Sequence, residues 1–465
     1  MVTKLKTMIK KEICCIGAGY VGGPTMSVIA YKCPQYKITI VDSNKDRIDA
    51  WNGSYDKLPI YEPGLKEVVK KVRGKNLFFS TKVDEAIIKS DIVFIAVNTP
   101  TKTKGEGKGM AADLTNVKKC TELIARLSST DKIIVEKSTA PVGTGEEIKS
   151  VLKSINTSNK FSVISNPEFL AEGTAIADLL NPDRVLIGGD DTTEGKMAAN
   201  IIADIYKEWI PEDKVIMTNL WSSELSKLAS NAFLAQRISS INSLSALCEK
   251  TGAKIDEVAT AVGMDSRIGS KFLKSSVGFG GSCFKKDILN LVYLCKYYGI
   301  NDVADYWENV IKINDFQKKR FSIKIIDALK SEESQTTISV LGWAFKKDTN
   351  DSRESASIDV VKNLIRNNIK VNIYDPLVSK QTILNDLNGE LASNLSKLKI
   401  CTSIKSSLSE SYGICILTEW DEFKKFDFKK TINKLTKPKV FIDGRNIINL
   451  NSLDGLFEHV MSLDT

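Results

Sequence analysis

Histidine is nearly missing from this sequence, which narrows the chemistry that it can support. The one histidine among 465 residues is His459, and the nine cysteines are irregularly spaced without any C-x-x-C pair. A zinc site built from cysteine and histidine pairs is therefore not expected, and we predict no bound metal. Unless it uses His459, acid–base catalysis would have to use lysine, aspartate, glutamate or water.

Long apolar runs are also missing. No stretch reaches the roughly 18 apolar residues that a membrane helix needs. The short apolar run 13–16 leads into glycines without a cleavage-like site, which is typical of a first strand rather than of a signal peptide. We expect a cytoplasmic protein without a membrane partner, in which most cysteines are reduced and buried.

A concentrated basic surface is missing as well. The formal net charge of +8 is small for this length, and the lysines are scattered without a platform of basic and aromatic residues. We therefore expect no nucleic-acid partner. A mild positive balance would suit anionic ligands such as nucleotides, although it would equally suit an ordinary surface.

The first half of the sequence alternates between short apolar stretches and amphipathic ones. Strand-like stretches lie at 12–17, 37–42, 76–80, 91–97, 132–137, 161–165, 185–189 and 214–218. Strands that are apolar on both faces and separated by helices predict a parallel sheet covered on both sides. We therefore predict an α/β protein whose N-terminal domain, residues 1–220, is a Rossmann-like parallel sheet.

The alternation breaks off at Trp221 and returns later. Residues 225–247 carry only two charges, which predicts a helix buried in the core, and we assign 221–330 to a central helical region. New strand-like stretches lie at 337–342, 370–375, 413–418 and 439–444. They predict a second, smaller Rossmann-like α/β domain over 331–465, which begins with a polar linker at 331–336.

The first strand ends in a glycine pattern typical of dinucleotide binding. Gly17, Gly19 and Gly22 precede a helix, and Asp42 ends the second strand. In this context the first glycine makes a tight turn, the second admits the pyrophosphate to the backbone, and the third packs the helix on the strand. Asp42 would bind the adenosine ribose and repel a 2′-phosphate, which favours NAD over NADP. Arg47 argues for a 2′-phosphate, but a surface or phosphate-side role suits it better.

A glycine-rich stretch, 278–287, places a cysteine where it would be reactive. Ser282 is predicted to cap the following helix, with Cys283 in its first turn. The helix N-terminus and the two lysines that follow would lower the pKa of the thiol. Asp287 lies one turn further along the same face. The alternative is a structural cysteine behind a flexible loop, for which three glycines would be an unusual setting.

Lys227 and Asn231 are four residues apart in the apolar stretch and share a helix face. Burying an ammonium there costs roughly several kcal/mol unless a partner or a task compensates it. Lys227 is therefore a candidate for stabilising or deprotonating an alkoxide, with Asp287 as a partner. The alternative is a lysine that extends from the helix start into solvent.

Two polar loops follow neighbouring strands. One, 166–173, contains Glu168, and the other, 139–143, begins at Thr139. Ligands of open α/β sheets bind beyond the C-terminal ends of the strands, where both loops should lie. Glu168 is therefore a candidate acid or base.

Four segments, in this order, resemble one enzyme family. They are NPEFLAEG at 166–173, the helix around Lys227 and Asn231, GFGGSCFKKD at 278–287 and AFKKDTNDSRES at 344–355. Together they look like the UDP-glucose/GDP-mannose dehydrogenases, and most like animal-type UDP-glucose 6-dehydrogenases, over nearly the whole chain. The resemblance implies an N-terminal NAD domain, a helical centre through which subunits associate, and a C-terminal UDP domain.

The resemblance also implies two successive oxidations of UDP-glucose by NAD, which give UDP-glucuronate. The catalytic residues would be Thr139, Glu168, Lys227, Asn231, Cys283 and Asp287. Cys283 would add to the intermediate aldehyde and carry a thioester that water hydrolyses. Lys227 and Asn231 would stabilise the oxyanions, and Asp287 would accept protons through water.

The remaining site residues are implied by the same resemblance. Thr139 would help to place the water, and Glu168 would assist hydrolysis. Residues for the cofactor would be Gly17, Gly19, Tyr20, Val21, Gly22, Asp42, Arg47, Thr99, Glu172 and Arg353. Residues for the substrate would be Glu168, Phe169, Leu170, Lys227, Asn231, Arg267, Phe272, Lys274, Phe279, Gly280, Lys346 and Arg445. Arg267 would reach a neighbouring subunit, so a homodimer or a hexamer of dimers is expected.

Two alternatives stay open at this point. A dehydrogenase of GDP-mannose or UDP-N-acetylmannosamine would share the set Cys283, Lys227, Asn231 and Asp287. An NAD-binding regulatory protein that kept the fold would not need all of these reactive side chains. Asn446 follows Arg445 at a position where animal-type members commonly carry a second arginine, so the resemblance does not extend to a second phosphate contact there.

Overall fold

The computed structural model describes residues 12–138, 141–329, 336–391, 395–432 and 439–463. Thr139 lies outside the described residues, and so does most of the predicted linker 331–336. The chain divides into two compact units, Met1–Ser230 and Asn231–Thr465, which we call the N-terminal and C-terminal units. The predicted division at residues 220 and 330 stays a prediction.

The N-terminal unit is built on one eight-stranded sheet. Its strands are β1 (Glu12–Ile16), β2 (Lys37–Val41), β3 (Leu77–Ser80), β4 (Ile92–Ile95), β5 (Lys132–Glu136), β6 (Phe161–Ser165), β7 (Val185–Gly189) and β8 (Val215–Asn219). Their order is β3-β2-β1-β4-β5-β6-β7-β8. Helices connect them: α1 (Gly22–Lys32), α2 (Lys45–Asn52), α3 (Leu65–Val72), α4 (Val83–Lys89), α5 (Thr115–Leu127), α6 (Thr144–Ile155), α7 (Ala175–Leu180) and α8 (Thr193–Lys207). Short 3₁₀ turns lie at Tyr55–Lys57 and Glu212–Lys214.

Both faces of this sheet are buried, as the apolar runs predicted. On β1, Ile13 and Cys15 belong to one apolar cluster, whereas Cys14 and Ile16 belong to another. Successive strand residues point to opposite faces, so the two clusters are the two covered faces of the sheet. The predicted α/β class with a Rossmann-like sheet is confirmed.

One strand pair departs from the predicted parallel sheet. The strands β6 and β7 pair antiparallel through Ser165 and Gly188, while the other strand pairs of the sheet are parallel. The predicted parallel sheet therefore contains one antiparallel step, which the sequence did not indicate. Apolar runs report that a strand is buried, but they carry no information about the direction in which it pairs.

The helix α9 (Leu220–Thr251) spans the boundary between the units, and its predicted burial is only partly right. Phe233 and Leu247 are each 59% exposed, and Leu244 is also exposed. At about 100° per residue these three side chains fall on one stripe. A low content of charged residues predicts that an apolar helix is covered, but it does not say whether its own chain covers it.

The C-terminal unit contains a helical part and a second sheet. The helices α10 (Ile255–Gly263), α11 (Phe284–Tyr297) and α12 (Asn301–Leu329) precede the sheet. Its strands are β9 (Thr337–Leu341), β10 (Lys370–Tyr374), β11 (Leu398–Ile400), β12 (Gly413–Ile416), β13 (Val440–Asp443) and β14 (His459–Met461). Further helices are α13 (Ala356–Arg366), α14 (Lys380–Asp386), α15 (Asn388–Leu391), α16 (Ile404–Leu408), α17 (Asp421–Lys425) and α18 (Phe428–Ile432), with 3₁₀ turns at Leu395–Lys397 and Leu450–Leu453.

The second sheet repeats the topology of the first six strands of the N-terminal sheet. Its order is β11-β10-β9-β12-β13-β14, which matches β3-β2-β1-β4-β5-β6. This is the doubly wound order that binds nucleotides at the point where the strand order reverses. The strands β11 and β14 were not predicted, because three residues are too few for a periodic pattern.

The two sheets differ at the acid that ends their second strand. In the second sheet Asp375 follows β10 and accepts hydrogen bonds from five donors: the amides of Trp343, Ala344, Leu377 and Val378 and the Trp420 indole. A carboxylate so fully engaged by protein donors has little capacity left for ribose hydroxyls. Asp375 therefore stabilises the backbone of its own sheet and is not equivalent to Asp42 as a candidate ribose ligand.

Candidate active site

The glycine loop after β1 has the geometry that a pyrophosphate requires. Gly17 has φ of +114°, and a Cβ there would lie 2.3 Å from the carbonyl oxygen of Ala96. A Cβ at Gly22 would lie 2.1 Å from the carbonyl oxygen of Gly17, whereas a Cβ at Gly19 would meet nothing within 4 Å. The loop is thus tight at its two ends and open in the middle, where a phosphate can approach the backbone.

The start of α1 completes this cradle. The helix begins at Gly22, and at its N-cap position, Val21, no side chain of the described residues forms a capping hydrogen bond. The first amides of such a helix bind anions, because they lack intrahelical acceptors and lie at the positive end of the helix dipole. Tyr20 and Val21 lie in the loop itself and are partly buried. The residues present therefore fit a dinucleotide.

Asp42 lies at the end of β2 and is held beside this loop. Its Oδ2 accepts hydrogen bonds from the Ala18 amide (3.0 Å) and from Nη1 of Arg47 (3.1 Å), and its Oδ1 accepts one from the Asn44 amide (2.9 Å). Arg47, which was expected on the surface or beside a phosphate, is partly exposed and pairs with the fingerprint acid. The pair leaves a net charge near zero, so neither residue attracts a 2′-phosphate strongly.

Replacing Asp42 by asparagine should shift cofactor choice towards NADP. The change removes the carboxylate that repels a 2′-phosphate and frees the Arg47 guanidinium to bind one. We expect the ratio of kcat/KM for NAD to that for NADP to fall on the order of 10- to 100-fold. Asp46→Asn, at an exposed position of α2, is the matched control and should leave the ratio unchanged. An unaltered ratio in Asp42→Asn would remove Asp42 from ribose recognition.

The other predicted cofactor residues lie in different parts of the chain. Thr99 is buried beyond the end of β4. Glu172 lies in the loop 166–173, whose end is fixed by buried Glu62 through hydrogen bonds from the amides of Gly173 (2.6 Å) and Ala175 (3.0 Å). Arg353 belongs to the C-terminal unit, where its guanidinium forms a bidentate ion pair with the Asp351 carboxylate.

Glu168 lies at the centre of a buried polar network in the N-terminal unit. Its Oε2 is 2.9 Å from Nζ of Lys137 and accepts a hydrogen bond from Thr25 (3.2 Å). Its Oε1 accepts from the amides of Phe169 (2.9 Å) and Leu170 (3.2 Å). The carboxylate is thereby engaged on both oxygens, so in this structure it acts as the anchor of the loop 166–173.

The charge states within this network follow from the ion pair. Burial alone would raise the pKa of Glu168, but the Lys137 ammonium and the amide of Phe169 lower it below its ordinary value. Burial opposes the charge of Lys137 as well, yet Glu168 and Tyr206 raise its pKa to about 12. Nζ of Lys137 also donates to Asn166 (3.2 Å) and Tyr206 (3.3 Å). Both members are therefore ionised at neutral pH.

Two buried acids, Glu136 and Glu224, lie near each other in the N-terminal unit. Glu136 ends β5, and Glu224 accepts hydrogen bonds from the amides of Gly143 (2.6 Å) and Gly145 (2.7 Å) at the start of α6. Burial raises the pKa of Glu224 to about 7, although those amides lower it. Burial, followed by the nearby Glu224, raises the pKa of Glu136 well above its usual range. The pair therefore favours the protonated state.

The stability of the N-terminal unit should consequently fall as the pH rises from about 5 to about 8. The folded state holds these protons more tightly than the unfolded chain does, so stability is lost once the folded groups must ionise. Each such proton contributes a slope of at most roughly 1.4 kcal/mol per pH unit. Urea unfolding at several pH values should show a smaller loss in Glu136→Gln, whereas exposed Glu194→Gln should follow wild type. Identical slopes in all three proteins would contradict the paired burial.

Lys227 is buried rather than extended into solvent. Its side chain is 7% exposed, and its Nζ lies 5.2 Å from the ring centre of Phe169. The guanidinium of Arg184 lies 3.9 Å from the same ring centre. Two cations thus contact one predicted substrate residue, and Leu170 beside it packs against the core. This arrangement favours an anionic or electron-rich ligand near Phe169.

In the C-terminal unit, two of the predicted catalytic residues are directly joined. Nδ2 of Asn231 donates to Oδ2 of Asp287 at 2.6 Å, and both side chains are buried. Nζ of Lys286 lies 3.8 Å from the other oxygen of Asp287. Cys283 precedes Asp287 by one helical turn at the start of α11, and Asn231 on α9 donates its amide to that carboxylate.

Cys283 lies one position earlier than predicted. The helix α11 begins at Phe284, so Cys283 itself occupies the N-cap position, and the helix has no side-chain cap. Ser282 does not cap the helix; its Oγ is 3.5 Å from Sγ of Cys283. Lys285 pairs with Glu354 at 2.9 Å rather than with the thiol. Cys283 is nevertheless exposed, whereas most of the other cysteines are buried.

The remaining substrate candidates of the C-terminal unit are Arg267, Phe272, Lys274, Phe279, Gly280, Lys346 and Arg445. Arg267 is 87% exposed and paired with Asp265, and Phe272 is exposed with φ of +62°. Arg445 donates to the carbonyls of Leu417 (2.7 Å) and Phe345 (3.0 Å). Nζ of Lys346 lies 5.7 Å from the centre of the Phe345 ring. Burial raises the pKa of Asp443, and the positive charge of nearby Lys274 offsets only part of that rise. Phe279 and Gly280 are buried in the loop before Cys283.

Sequence reasoning missed the residues that hold these groups in place. Lys137 and Tyr206 are far from Glu168 in sequence, and Glu224 is far from Gly143 and Gly145, so no local motif identifies them. Arg237 was noticed only as a charge in an apolar helix, yet it donates to the carbonyls of Ile268, Gly269 and Lys271 and so fixes the segment around Phe272. A charged residue inside an apolar stretch is the one signal that could have indicated such a role.

The described residues contain neither a metal-binding cluster nor a membrane-spanning helix. No group of three or more histidine, cysteine or acidic side chains is arranged to hold a metal ion there. Among the same residues, no helix is both long enough and apolar enough to cross a membrane.

Comparison with known proteins gives a consistent assignment. Models of the UDP-glucose/GDP-mannose dehydrogenase family match residues 11–210 (NAD binding domain), 221–316 (central domain) and 339–450 (UDP binding domain). UDP-glucose 6-dehydrogenase 3 of Arabidopsis thaliana is 54% identical, over 95% of this chain and 94% of the relative. UDP-glucose 6-dehydrogenase 1 of Glycine max is 53% identical with the same coverage.

The solved structures agree with this assignment. The structure of a UDP-glucose dehydrogenase from the archaeon Pyrobaculum islandicum is 28% identical and has a TM-score of 0.82, with 97% of each chain covered. The match of the NAD binding model to 11–210 coincides with the sheet that carries Gly17, Gly19, Gly22 and Asp42. This chain therefore belongs to the UDP-glucose/GDP-mannose dehydrogenase family, and NAD is its cofactor.

Proposed function

We propose that this protein is an NAD-dependent UDP-glucose 6-dehydrogenase that oxidises the primary alcohol of the sugar to a carboxylate. The observation that carries the proposal is the exposed Cys283 at the start of α11, one turn before the buried Asp287–Asn231 pair. A dehydrogenase that stops at an aldehyde needs a base but no nucleophile. Relatives at 53–54% identity that are UDP-glucose 6-dehydrogenases support the choice of substrate.

The four-electron oxidation divides into two steps joined by Cys283. The alcohol first loses a proton and a hydride and becomes an aldehyde. The thiolate then adds to the aldehyde carbon, and loss of a second hydride from the resulting oxyanion leaves a thioester. Water adds to the thioester, the carbon–sulfur bond breaks, and the acid and the free thiol are released. NAD, held by the loop of Gly17, Gly19 and Gly22 and by Asp42, would supply the hydride acceptor for each oxidation, so two NAD would be reduced for each sugar.

The proposed roles of the surrounding residues follow from their chemistry. Lys227 supplies a positive charge, and Asn231 an amide donor, to stabilise the alkoxide and the oxyanions. Asp287, held by Asn231, accepts protons through water. Glu168 is the least suited of the predicted set to proton transfer, because its two oxygens are already engaged. We assign it the positioning of Phe169 and Leu170, with any help to hydrolysis coming through the charge of its ion pair. Thr139 stays a prediction.

Substrate recognition is proposed to involve cations at both ends of the nucleotide sugar. Lys274, Lys346 and Arg445 are the candidates for the diphosphate and the sugar, with Phe272, Phe279 and Gly280 lining the site. Arg445 is already held by two backbone carbonyls, so its guanidinium is oriented before any ligand binds. A guanidinium so held favours an anionic partner such as a diphosphate, whose oxygens can accept its remaining N–H donors.

The test of the proposal is the amount of NADH formed for each sugar consumed. With UDP-glucose and excess NAD, we expect two NADH for each UDP-glucose and UDP-glucuronate as the product. GDP-mannose and UDP-N-acetylmannosamine at the same concentration should give kcat/KM values at least about 100-fold lower. A ratio of one NADH, or preference for either of the other substrates, would overturn the assignment.

Self-association is also proposed, because the helix α9 presents an apolar stripe. Phe233, Leu244 and Leu247 are exposed on one face of the helix, which a second copy of the chain would cover. Exposed Arg267 lies on the same unit and is the residue proposed to enter a neighbouring site. A homodimer is the smallest assembly that meets both features, and a hexamer of dimers is compatible with them. A cytoplasmic location and likeness to animal-type members also stay predictions; the relatives at 53–54% identity are plant proteins.

Mixing two inactive variants tests the shared site. Arg267→Ala chains mixed equally with Cys283→Ala chains should regain up to about a quarter of the wild-type rate, since half of the dimers are mixed and each has one intact site. Subunit exchange is monitored in parallel with differently tagged chains. Demonstrated exchange without recovery of activity would mean that Arg267 acts within its own subunit.

A further inference from the structure

The segment 276–283 leads directly into the helix that follows Cys283, and its path is fixed from one side by α12. A single side chain of α12, that of Asn314, makes two hydrogen bonds to the backbone of Phe279. Its Oδ1 accepts from the Phe279 amide at 2.8 Å, and its Nδ2 donates to the Phe279 carbonyl at 3.0 Å. The side-chain amide therefore pairs with both backbone groups of one residue, as a neighbouring strand would.

The neighbouring contacts support the same purpose. Gln317, one turn along α12, donates to the Ser276 carbonyl at 2.8 Å, and Asn242 accepts from the Ser276 amide at 2.9 Å. A Cβ at Gly278 would lie 2.9 Å from Oδ1 of Asn314, so only glycine allows the side chain to approach this closely. The segment is thus held at two successive points before it reaches Cys283.

Asn314 is an unfavourable choice for its place in the helix. Asparagine inside a helix loses stability relative to alanine, because its amide competes for backbone hydrogen bonds. Asn314 is also buried, where an unpaired amide would add a desolvation penalty. Both costs are offset only by the pairing with Phe279, which ties the identity of this residue to the segment that precedes Cys283.

We propose that Asn314 is a positioning residue that fixes Phe279 and thereby the approach of the Cys283 thiol to the aldehyde. The proposal rests on the function proposed above and deepens it. Without the clamp, addition of the thiolate slows while oxidation of the alcohol continues. The aldehyde then has time to leave the site, so the effect appears in the ratio of products rather than only in the rate.

The test compares Asn314→Asp and Asn314→Ala with Asn309→Asp. Aspartate keeps the shape and the acceptor but places a carboxylate oxygen against the Phe279 carbonyl, and alanine removes both bonds without adding charge. Asn309 lies on the same helix at an exposed position, which makes it the matched control. We measure NADH per UDP-glucose consumed, aldehyde captured by an aminooxy reagent, and hydrogen exchange of the peptide that contains 276–283.

Both Asn314 variants should yield fewer than two NADH for each sugar, with captured aldehyde accounting for the difference, and faster exchange of the peptide. The fraction of folded enzyme cancels in the product ratio, so a merely structural loss leaves that ratio at two. Faster exchange with an unchanged ratio, or no change in either measurement, would overturn the positioning role. If wild type itself does not produce two NADH, the proposed function fails, whereas unchanged exchange in both variants fails this proposal alone.

Discussion

Cys283→Ala is expected to lose at least about a thousand-fold in the rate of UDP-glucuronate formation, because the step between aldehyde and acid has no other nucleophile. The thiol is exposed at the start of α11, and neither Asp287 nor Asn231 can form the thioester in its place. Binding of NAD should stay close to normal, since the glycine loop and Asp42 lie in the N-terminal unit. The variant should release aldehyde at a slow rate instead of acid.

The control for this result is Cys295→Ala. Cys295 is a buried cysteine on the same helix, so its loss removes a small apolar group without touching the proposed chemistry. We expect its rate of acid formation to remain within about threefold of wild type. Product analysis by mass spectrometry separates aldehyde from acid. Acid formation by Cys283→Ala at nearly the wild-type rate would remove the covalent mechanism.

Lys137→Met is expected to destabilise the N-terminal unit by about 3–5 kcal/mol at neutral pH, the typical cost of leaving a buried charge without its partner. Glu168 would remain buried with its two backbone amides and Thr25, but without the ammonium 2.9 Å away. Lys153→Met, at an exposed position of α6, should change stability by less than about 0.5 kcal/mol. Urea unfolding monitored by fluorescence measures both variants.

The loss of stability in Lys137→Met should depend on pH. In wild type the Lys137 ammonium outweighs burial and holds the pKa of Glu168 below its ordinary value. The pair therefore contributes stability above that ordinary value, and the contribution is lost as the pH falls through the folded pKa. In Lys137→Met burial favours the protonated acid, so the difference from wild type should shrink at acidic pH. The double variant Lys137→Met, Glu168→Gln should recover part of the loss at neutral pH. A loss that is independent of pH would indicate packing, not charge, as its cause.

The parts of this fold that follow local patterns were predictable from sequence. Runs such as 37–42 and 337–342 gave strands within one or two residues of the observed bounds, because strands that are apolar on both faces belong to covered parallel sheets. Gly17, Gly19 and Gly22 indicated a cofactor loop because their spacing is a steric requirement. A Cβ would clash with the backbone at Gly17 and at Gly22, whereas it would meet no atom at Gly19.

What could not be predicted depends on pairs that are distant in sequence or on the end of a helix. The antiparallel step at Ser165 and Gly188 leaves no trace in periodicity. The ion pair of Glu168 with Lys137 joins two loops that are distant in sequence. Because of this pair, Glu168 is interpreted as a residue that positions its loop and not as a catalytic base. Cys283 differs from its predicted place by one residue, which is the usual uncertainty of a helix boundary. The low charge of α9 predicted that the helix is buried, yet Phe233, Leu244 and Leu247 are exposed on one face of it.

The most direct test of the central claim is to look for the sugar on Cys283 during turnover. Enzyme mixed with labelled UDP-glucose and NAD is quenched with acid before the reaction is complete, digested, and analysed by mass spectrometry. We predict that the peptide containing Cys283 carries the mass of the nucleotide sugar as a thioester, that hydroxylamine releases it, and that Cys283→Ala carries none. Complete conversion to UDP-glucuronate, with no labelled Cys283 peptide at any quench time and an equal yield of acid from Cys283→Ala, would contradict the account.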